Sequence, residues 1–246
     1  MKILAVSDVQ SRSLESIVSD YPERLKDVAL IVSCGDLNKG YLEFLVDGLN
    51  KELFFIYGNH KLDEDFDDHF SDDLADRVWE EVRSFPDEVK RSVAGRVDLH
   101  GRVEVFRNYL IAGFGGTMWY NGRKNQFREN EMARVVRQVE RKIRWHRLRE
   151  KLFGLKRRDV IVISHAPVLH VHDQPDQCHK GFKCFRDFIR KVVPVLWLHG
   201  HVHLPDMNRN QVSLVDSTTV INVCGCKFIK IDAKYISVSP HHDVSS

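Results

Sequence analysis

"VPVLWLHGHVH", residues 193 to 203, decides how the rest of this chain is read. The apolar run Val193–Trp197 leads into histidines at alternate positions, His199, His201 and His203. On a β-strand alternate side chains leave the same face. The spacing therefore predicts imidazoles converging at the end of a buried strand. Such a cluster suits a metal ion, provided other parts of the chain bring further ligands.

Four other apolar runs end in the same way. "KILAVSD" ends at Asp8, "VALIVSCGD" at Asp36, "ELFFIYGNH" at Asn59 and His60, and "DVIVISH" at His165. Short runs rich in Val, Ile, Leu and Phe, each followed by loop residues, read as strands buried on both faces of an α/β sheet. Between them Leu14, Ile17, Val18, Tyr21 and Leu25 recur at helical spacing, as do Tyr41, Leu42, Leu45, Val46 and Leu49. In such sheets ligands bind beyond the carboxyl ends of the strands. Five strands deliver Asp, Asp, Asn-His, His and His-x-His there.

The middle of the chain differs. Residues 63 to 88 are strongly acidic and residues 123 to 158 strongly basic. Within the basic part Met132, Val135, Val136, Val139, Ile143 and Leu148 form a helical stripe, which places the charges on the outer face of one long helix. A solvated face accounts for that pattern, and an electrostatic footprint for a nucleotide or nucleic acid is the functional alternative. "RVEVFRNYLIAGFGG" reads as a hairpin turning near Asn108, and "STTVINVCGCKFIKID" as a further pair of strands closing the fold. The expected organisation is a single domain over residues 1–246 with a charged helical insertion at about 62–158.

Composition sets bounds. With 246 residues the chain is long enough for a substantial core, and a net charge of +2 argues for no particular polyanion. No apolar run approaches the roughly 20 residues of a membrane span, and "MKILAVSD" reads as a strand rather than a leader. Neither points to a membrane. Five cysteines with no C-x-x-C pair suggest free thiols and a cytoplasmic location. A zinc cluster of Cys178, Cys184, Cys224 and Cys226 would match no common spacing.

Carboxylate, amide oxygen and imidazole together suit Mn²⁺, Fe or Zn²⁺, and so many candidate ligands fit two ions when one carboxylate bridges. "SDVQ", "CGDLN", "YGNH", "SHAP" and "GHVH" resemble, in order, the D-x-H, G-D, G-N-H, H and G-H-x-H blocks of the calcineurin-like metallophosphoesterases. The resemblance implies a four-layer αββα sandwich with two divalent metal ions at its strand ends. Mn²⁺ is expected first, with Fe, Zn²⁺ and Ni²⁺ as alternatives. By the same resemblance Asp8, Gln10, Asp36 and His203 hold the first ion, Asp36 bridges, and Asn59, His165 and His201 complete the second. His60 then stands beside the leaving oxygen, so the expected catalytic residues are His60 and Asp36.

One block departs from the family: Gln10 stands where most members carry histidine, and a neutral carbonyl is a weaker ligand. The expected activity is hydrolysis of a phosphomonoester or phosphodiester, on a nucleotide-like or small phosphorylated substrate. A catalytically weak scaffold on the same fold is the alternative, which the retained Asn59 and His60 disfavour. "GGTMWYNGRKNQFRENEM" and "DQCHKGFKCF" resemble a bacterial and archaeal subgroup. Arg12, at a helix start, Asn121 and His179 are the expected substrate-binding residues, with Tyr120, Asn125, Asp176 and Cys178 near them. His199, unused in the family pattern, is expected to support its neighbours.

Overall fold

The computed structural model describes residues 1–59, 96–206, 209–232 and 235–240. His60 and the acidic stretch of residues 63 to 88 lie outside them. Two six-stranded mixed sheets stack face to face, with helices on both outer surfaces, which is the αββα sandwich. The first sheet has the order β14-β13-β1-β2-β3-β4, built from Ile236–Pro240, Gly225–Ile231, Lys2–Ser7, Val28–Ser33, Leu53–Phe55 and Arg96–Asp98. The second has the order β11-β12-β10-β9-β6-β5, from Gln211–Val215, Thr218–Asn222, Leu196–His199, Asp159–Ser164, Tyr109–Phe114 and Val103–Phe106. A two-stranded ribbon, β7 (Thr117–Met118) with β8 (Gln126–Phe127), flanks the second sheet's loops.

Strand alternation makes three hydrophobic layers. Ile3, Ala5, Leu30, Val32, Ile161, Ile163, Leu196 and Leu198 point between the sheets. Their neighbours Leu4, Val6 and Ile31 point outward onto α1 (Arg12–Asp20) and α2 (Lys39–Leu49), meeting Leu14, Val18, Leu42 and Leu45. Val160, Val162 and Trp197 do the same on the other side, against α3 (Glu129–Leu152) and α4 (Lys183–Val192). Both faces of the central strands are thus apolar, which is why their sequences run almost unbroken in Val, Ile and Leu. Trp197 is fully buried among Phe114, Phe185 and Phe188, and its indole N–H donates to Ser164 Oγ at 2.8 Å. Truncating such a side chain to alanine costs about 3–5 kcal/mol.

The helices begin as local chemistry dictates. Ser11 accepts from the Leu14 N–H at the start of α1, and Asn38 accepts from the Tyr41 N–H at the start of α2. In α3 the stripe Met132, Val136, Val139 and Ile143 is buried as the periodicity requires. It ends there, because Trp145, Leu148 and Leu152 are exposed. Nor is the basic stretch wholly a solvated face. Lys142 donates to the Gly101 carbonyl, and buried Glu150 pairs with Arg147 and Arg158.

Three sequence readings are refined. The hairpin is present as β5 and β6, paired antiparallel with Phe106 opposite Tyr109. β12 and β13, read as a pair, instead enter different sheets, because the turn at Cys224 and Gly225 crosses the sandwich. Within the expected insertion, β4 extends the first sheet, β5 and β6 the second, and α3 covers the latter, while residues 62–95 lie outside the described part.

Candidate metal centre

β1, β2 and β3 run parallel in one sheet, β9 and β10 in the other, and their carboxyl ends meet at one rim. The turns beyond three of them are left-handed at side-chain-bearing residues: Asp8 (φ 64°), Asp36 (φ 56°) and His201 (φ 68°). Glycine is the usual occupant of that conformation, and strain of this kind gathers at functional sites. Here it aims two carboxylates and an imidazole at one another. Two glycines make room. A Cβ on Gly58 would lie 1.9 Å from Asp36 Oδ1, and one on Gly200 would lie 2.7 Å from Asp8 Oδ2.

His165 is the hub and is fully buried. Its Nδ1–H donates to the Cys34 carbonyl at 2.7 Å. Its Nε2 faces Asn59 Oδ1 at 3.0 Å and Asp36 Oδ2 at 3.2 Å, both acceptors. Acceptors thus face both ring nitrogens, an arrangement that favours the imidazolium in the metal-free chain. Burial opposes that charge, but Asp36 foremost and then Asp8 overcome it and raise the pKa to about 9. A carboxylate, an amide oxygen and an imidazole nitrogen converge on one point, a donor set that suits a divalent cation.

Asn59 is held in turn by Tyr120, whose hydroxyl accepts from Asn59 Nδ2 at 3.0 Å. The Asp8 side chain is buried, which raises its carboxyl above the ordinary range against the opposing charge of His165. Both Asp8 oxygens accept from the His201 N–H at 3.0 Å. Burial, then the charge on His165, lower the His201 ring to about 3, so it is neutral with a lone pair available. Asp36, His165 and His201 offer ligand atoms within 4.8 Å of one another. Cys178, His179 and His201 form a second such group, sharing His201 with the first.

The other expected residues are distributed unevenly. His203 reaches Asp8 Oδ1 at 3.9 Å but is 67% exposed. Gln10 is exposed and lines a cleft of about 400 Å³ with Glu15, Asn38 and Tyr41, beside α1 and α2. Arg12 is exposed at the first position of α1. Asn121 caps its own loop, where its Oδ1 accepts from Gln126 Nε2 at 2.6 Å. The His179 ring lies beside that of His201, tilted by 31° with centroids 4.9 Å apart.

His199 does not share a face with His201, since β10 ends at His199 and the left-handed backbone turns His201 away. It meets His172 instead, Nε2 to Nδ1 at 2.9 Å, and His172 Nε2 accepts from Ser213 Oγ at 2.8 Å. Cys178 and Tyr120 are the contributors that strand-end reading does not single out as ligands or supports. The "DQCH" and "MWYNG" blocks are their only signals. Of the five free cysteines, Cys178 alone is not buried, and it keeps company with histidines rather than with the other thiols.

Fold and site together define a two-sheet sandwich with a carboxylate–imidazole centre at its strand ends. The chain belongs to the calcineurin-like phosphoesterase family, whose model matches residues 1–205. A search of curated proteins found no significant match. Among solved structures, TT1561 of Thermus thermophilus is similar at 15% identity and a TM-score of 0.58, over 97% of this chain and 98% of that one. GAP50, the anchor in the inner membrane complex of Plasmodium, is similar at 11% identity and a TM-score of 0.51, over 97% and 83%. Both likenesses concern the fold. Among the described residues, no helix is long and apolar enough to cross a membrane.

Proposed function

We propose that this chain hydrolyses phosphate esters at a centre of two divalent ions, with a mono- or diester of a nucleotide-like or small phosphorylated compound as substrate. The observation that carries the reading is the convergence of Asp36 Oδ2 and Asn59 Oδ1 on His165 Nε2, at 3.2 and 3.0 Å, in a buried and otherwise anionic cluster. Asp36, Asn59, His165 and His201 would hold one ion. Asp8 and Asp36, with His203 and Gln10 from the rim, would hold the other. When bound, such a pair lowers the pKa of a shared water towards ~7 and neutralises charge on the phosphoryl oxygens.

The chain's own groups do the rest. Asp8 fixes the turn at His201 through the backbone N–H, and His165 is locked in orientation by Cys34. His60 protonates the leaving oxygen, and Arg12, exposed at the start of α1, supplies a cation for the phosphate. Mn²⁺ suits the oxygen-rich Asp8 side. A cytoplasmic location accords with five unpaired thiols.

The test is hydrolysis of bis-p-nitrophenyl phosphate by metal-stripped protein, with and without Mn²⁺, beside His165→Ala and His60→Ala. Metal-dependent turnover, falling by about 100-fold or more in each variant, is expected. No turnover with any divalent metal would overturn the reading and favour a scaffold role.

A further inference from the structure

Cys178 and His179 sit on the loop between β9 and α4, outside the ligand set the family blocks supply. Asp176 builds this corner. Its carboxylate accepts from the Cys178 N–H at 3.0 Å, from the His179 N–H at 3.1 Å, and from His179 Nδ1–H at 3.0 Å. With Nδ1–H engaged by a carboxylate, the free lone pair of His179 is on Nε2. Metal-ligating histidines are commonly oriented in this way.

The thiol is placed to match. Cys178 Sγ lies 3.8 Å from His201 Nε2, and ligand atoms of Cys178, His179 and His201 all fall within 4.8 Å of one another. A Zn–S bond of about 2.3 Å and a Zn–N bond of about 2.0 Å, meeting near the tetrahedral angle, separate sulfur from nitrogen by about 3.5 Å. The observed spacing is close to that edge. His201 Nε2–H now donates to the Cys178 carbonyl at 2.9 Å, a bond that an ion at this position would replace. The Tyr120 hydroxyl, besides accepting from Asn59, hydrogen-bonds the Cys178 side chain, so the corner is tied to the buried cluster.

We propose that Cys178, His179 and His201 form a thiolate-bearing metal position of zinc type at the mouth of the centre. It rests on the metal-centre reading above through His201, which belongs to both groups. Three protein ligands leave the fourth tetrahedral position open, as in catalytic rather than structural zinc sites. His179 is 34% exposed, so that position is reachable from solvent by a phosphate oxygen. A thiolate selects Zn²⁺ or Co²⁺ over Mn²⁺. Binding exchanges the S–H bond of Cys178 and the Nε2–H bond of His201 for bonds to the metal, and both protons leave to solvent. The rim thus joins a hard, carboxylate-rich side at Asp8 to a soft, thiolate-bearing side at Cys178.

The experiment titrates the metal-stripped full chain with Co²⁺ and follows its absorption. The expected result is a saturable sulfur-to-cobalt charge-transfer band in the near ultraviolet. It is absent in Cys178→Ser and weakened in His179→Ala, while the visible d–d bands survive in both. A second arm needs no variant. Cys34, Cys184, Cys224 and Cys226 are buried, so iodoacetamide on the native chain reports on Cys178, and Zn²⁺ should slow its alkylation, read by peptide mass spectrometry. Cobalt d–d bands without the charge-transfer band, or alkylation indifferent to Zn²⁺, overturn this position and leave the metal-centre reading standing. No cobalt bands of either kind overturn both.

Discussion

His165 and Asp36 meet at 3.2 Å inside the protein, and the carboxylate is the main influence that favours a charged histidine. The charge has a thermodynamic consequence in metal-free protein. The folded-state pKa of His165 is raised to about 9 from 6.5, so the folded state holds a proton that the unfolded state gives up first. The resulting stabilisation is complete below pH 6.5 and is lost as pH rises through about 9. By linkage it reaches about 3 kcal/mol. Thermal unfolding from pH 6 to 10 should show this loss in the metal-free chain and not in His165→Gln. In the same window Mn²⁺ or Zn²⁺ should displace the proton, read as acid release in weak buffer. Parallel pH profiles for the two proteins would remove His165 as the bearer of that charge.

Gly58 lies under the Asp36 carboxylate, and the methyl group of Gly58→Ala would fall 1.9 Å from Oδ1. The carboxylate has to move, since Asp36 is itself fixed by a left-handed turn. A misplacement near 1 Å costs on the order of 100-fold in turnover. The variant should therefore retain its circular dichroism while losing bound metal, measured by elemental analysis, and activity together. Unchanged metal content would mean that the Asp36 position is softer than the packing implies.

Most of the scaffold is legible because each central strand is apolar on both faces and stops at a ligand-type residue. Asp8, Asp36, Asn59 and His165 follow their strands within a few residues, and the structure brings all four together. Alternation fails where the strand itself stops. β10 ends at His199, so the period of two no longer governs His201, and His199 turns to His172 instead. Periodicity likewise carries no information on which sheet a strand joins, so β12 and β13 look like a hairpin although Gly225 takes them across the sandwich. The Cys178–His179 corner is signalled only by the "DQCHKGFKCF" block, as part of a substrate pocket rather than as a ligand group. Its members lie in a loop, where the spacing of residues does not encode direction.

Tyr120 offers a way to alter the centre without touching a ligand. Its hydroxyl accepts from Asn59 Nδ2 and so keeps Oδ1 turned to His165. In Tyr120→Phe the amide is free to rotate and present its NH₂ to the centre, where an ion would be repelled. Partners that orient metal ligands are worth 10–100-fold in affinity, so a loss of about that size is expected by chelator competition. The melting temperature should change little, because the ring stays in place. An unaltered affinity would show that other contacts hold the Asn59 amide.

His172 and His199 set the acid limit of the fold. His199 Nδ1–H donates to the Gly200 carbonyl, which leaves its Nε2 to accept from His172 Nδ1–H, and His172 Nε2 to accept from Ser213. The step between the rings requires a neutral His199, whose Nε2 must accept, and burial disfavours charge on either ring. Burial lowers His199 to about 3 and His172 to about 4, each from 6.5. An unfolded chain takes up these protons first as pH falls, so the stability the pair contributes is present above pH 6.5 and drains away as pH drops towards 4. Urea unfolding at pH 7.5 and 5 should therefore show a clear loss of stability at the lower pH. His172→Gln keeps a side chain able to donate to His199 without titrating, and it should show a smaller loss over the same interval. If the two proteins lose stability equally, the acid sensitivity arises elsewhere and the neutral pair is not its source.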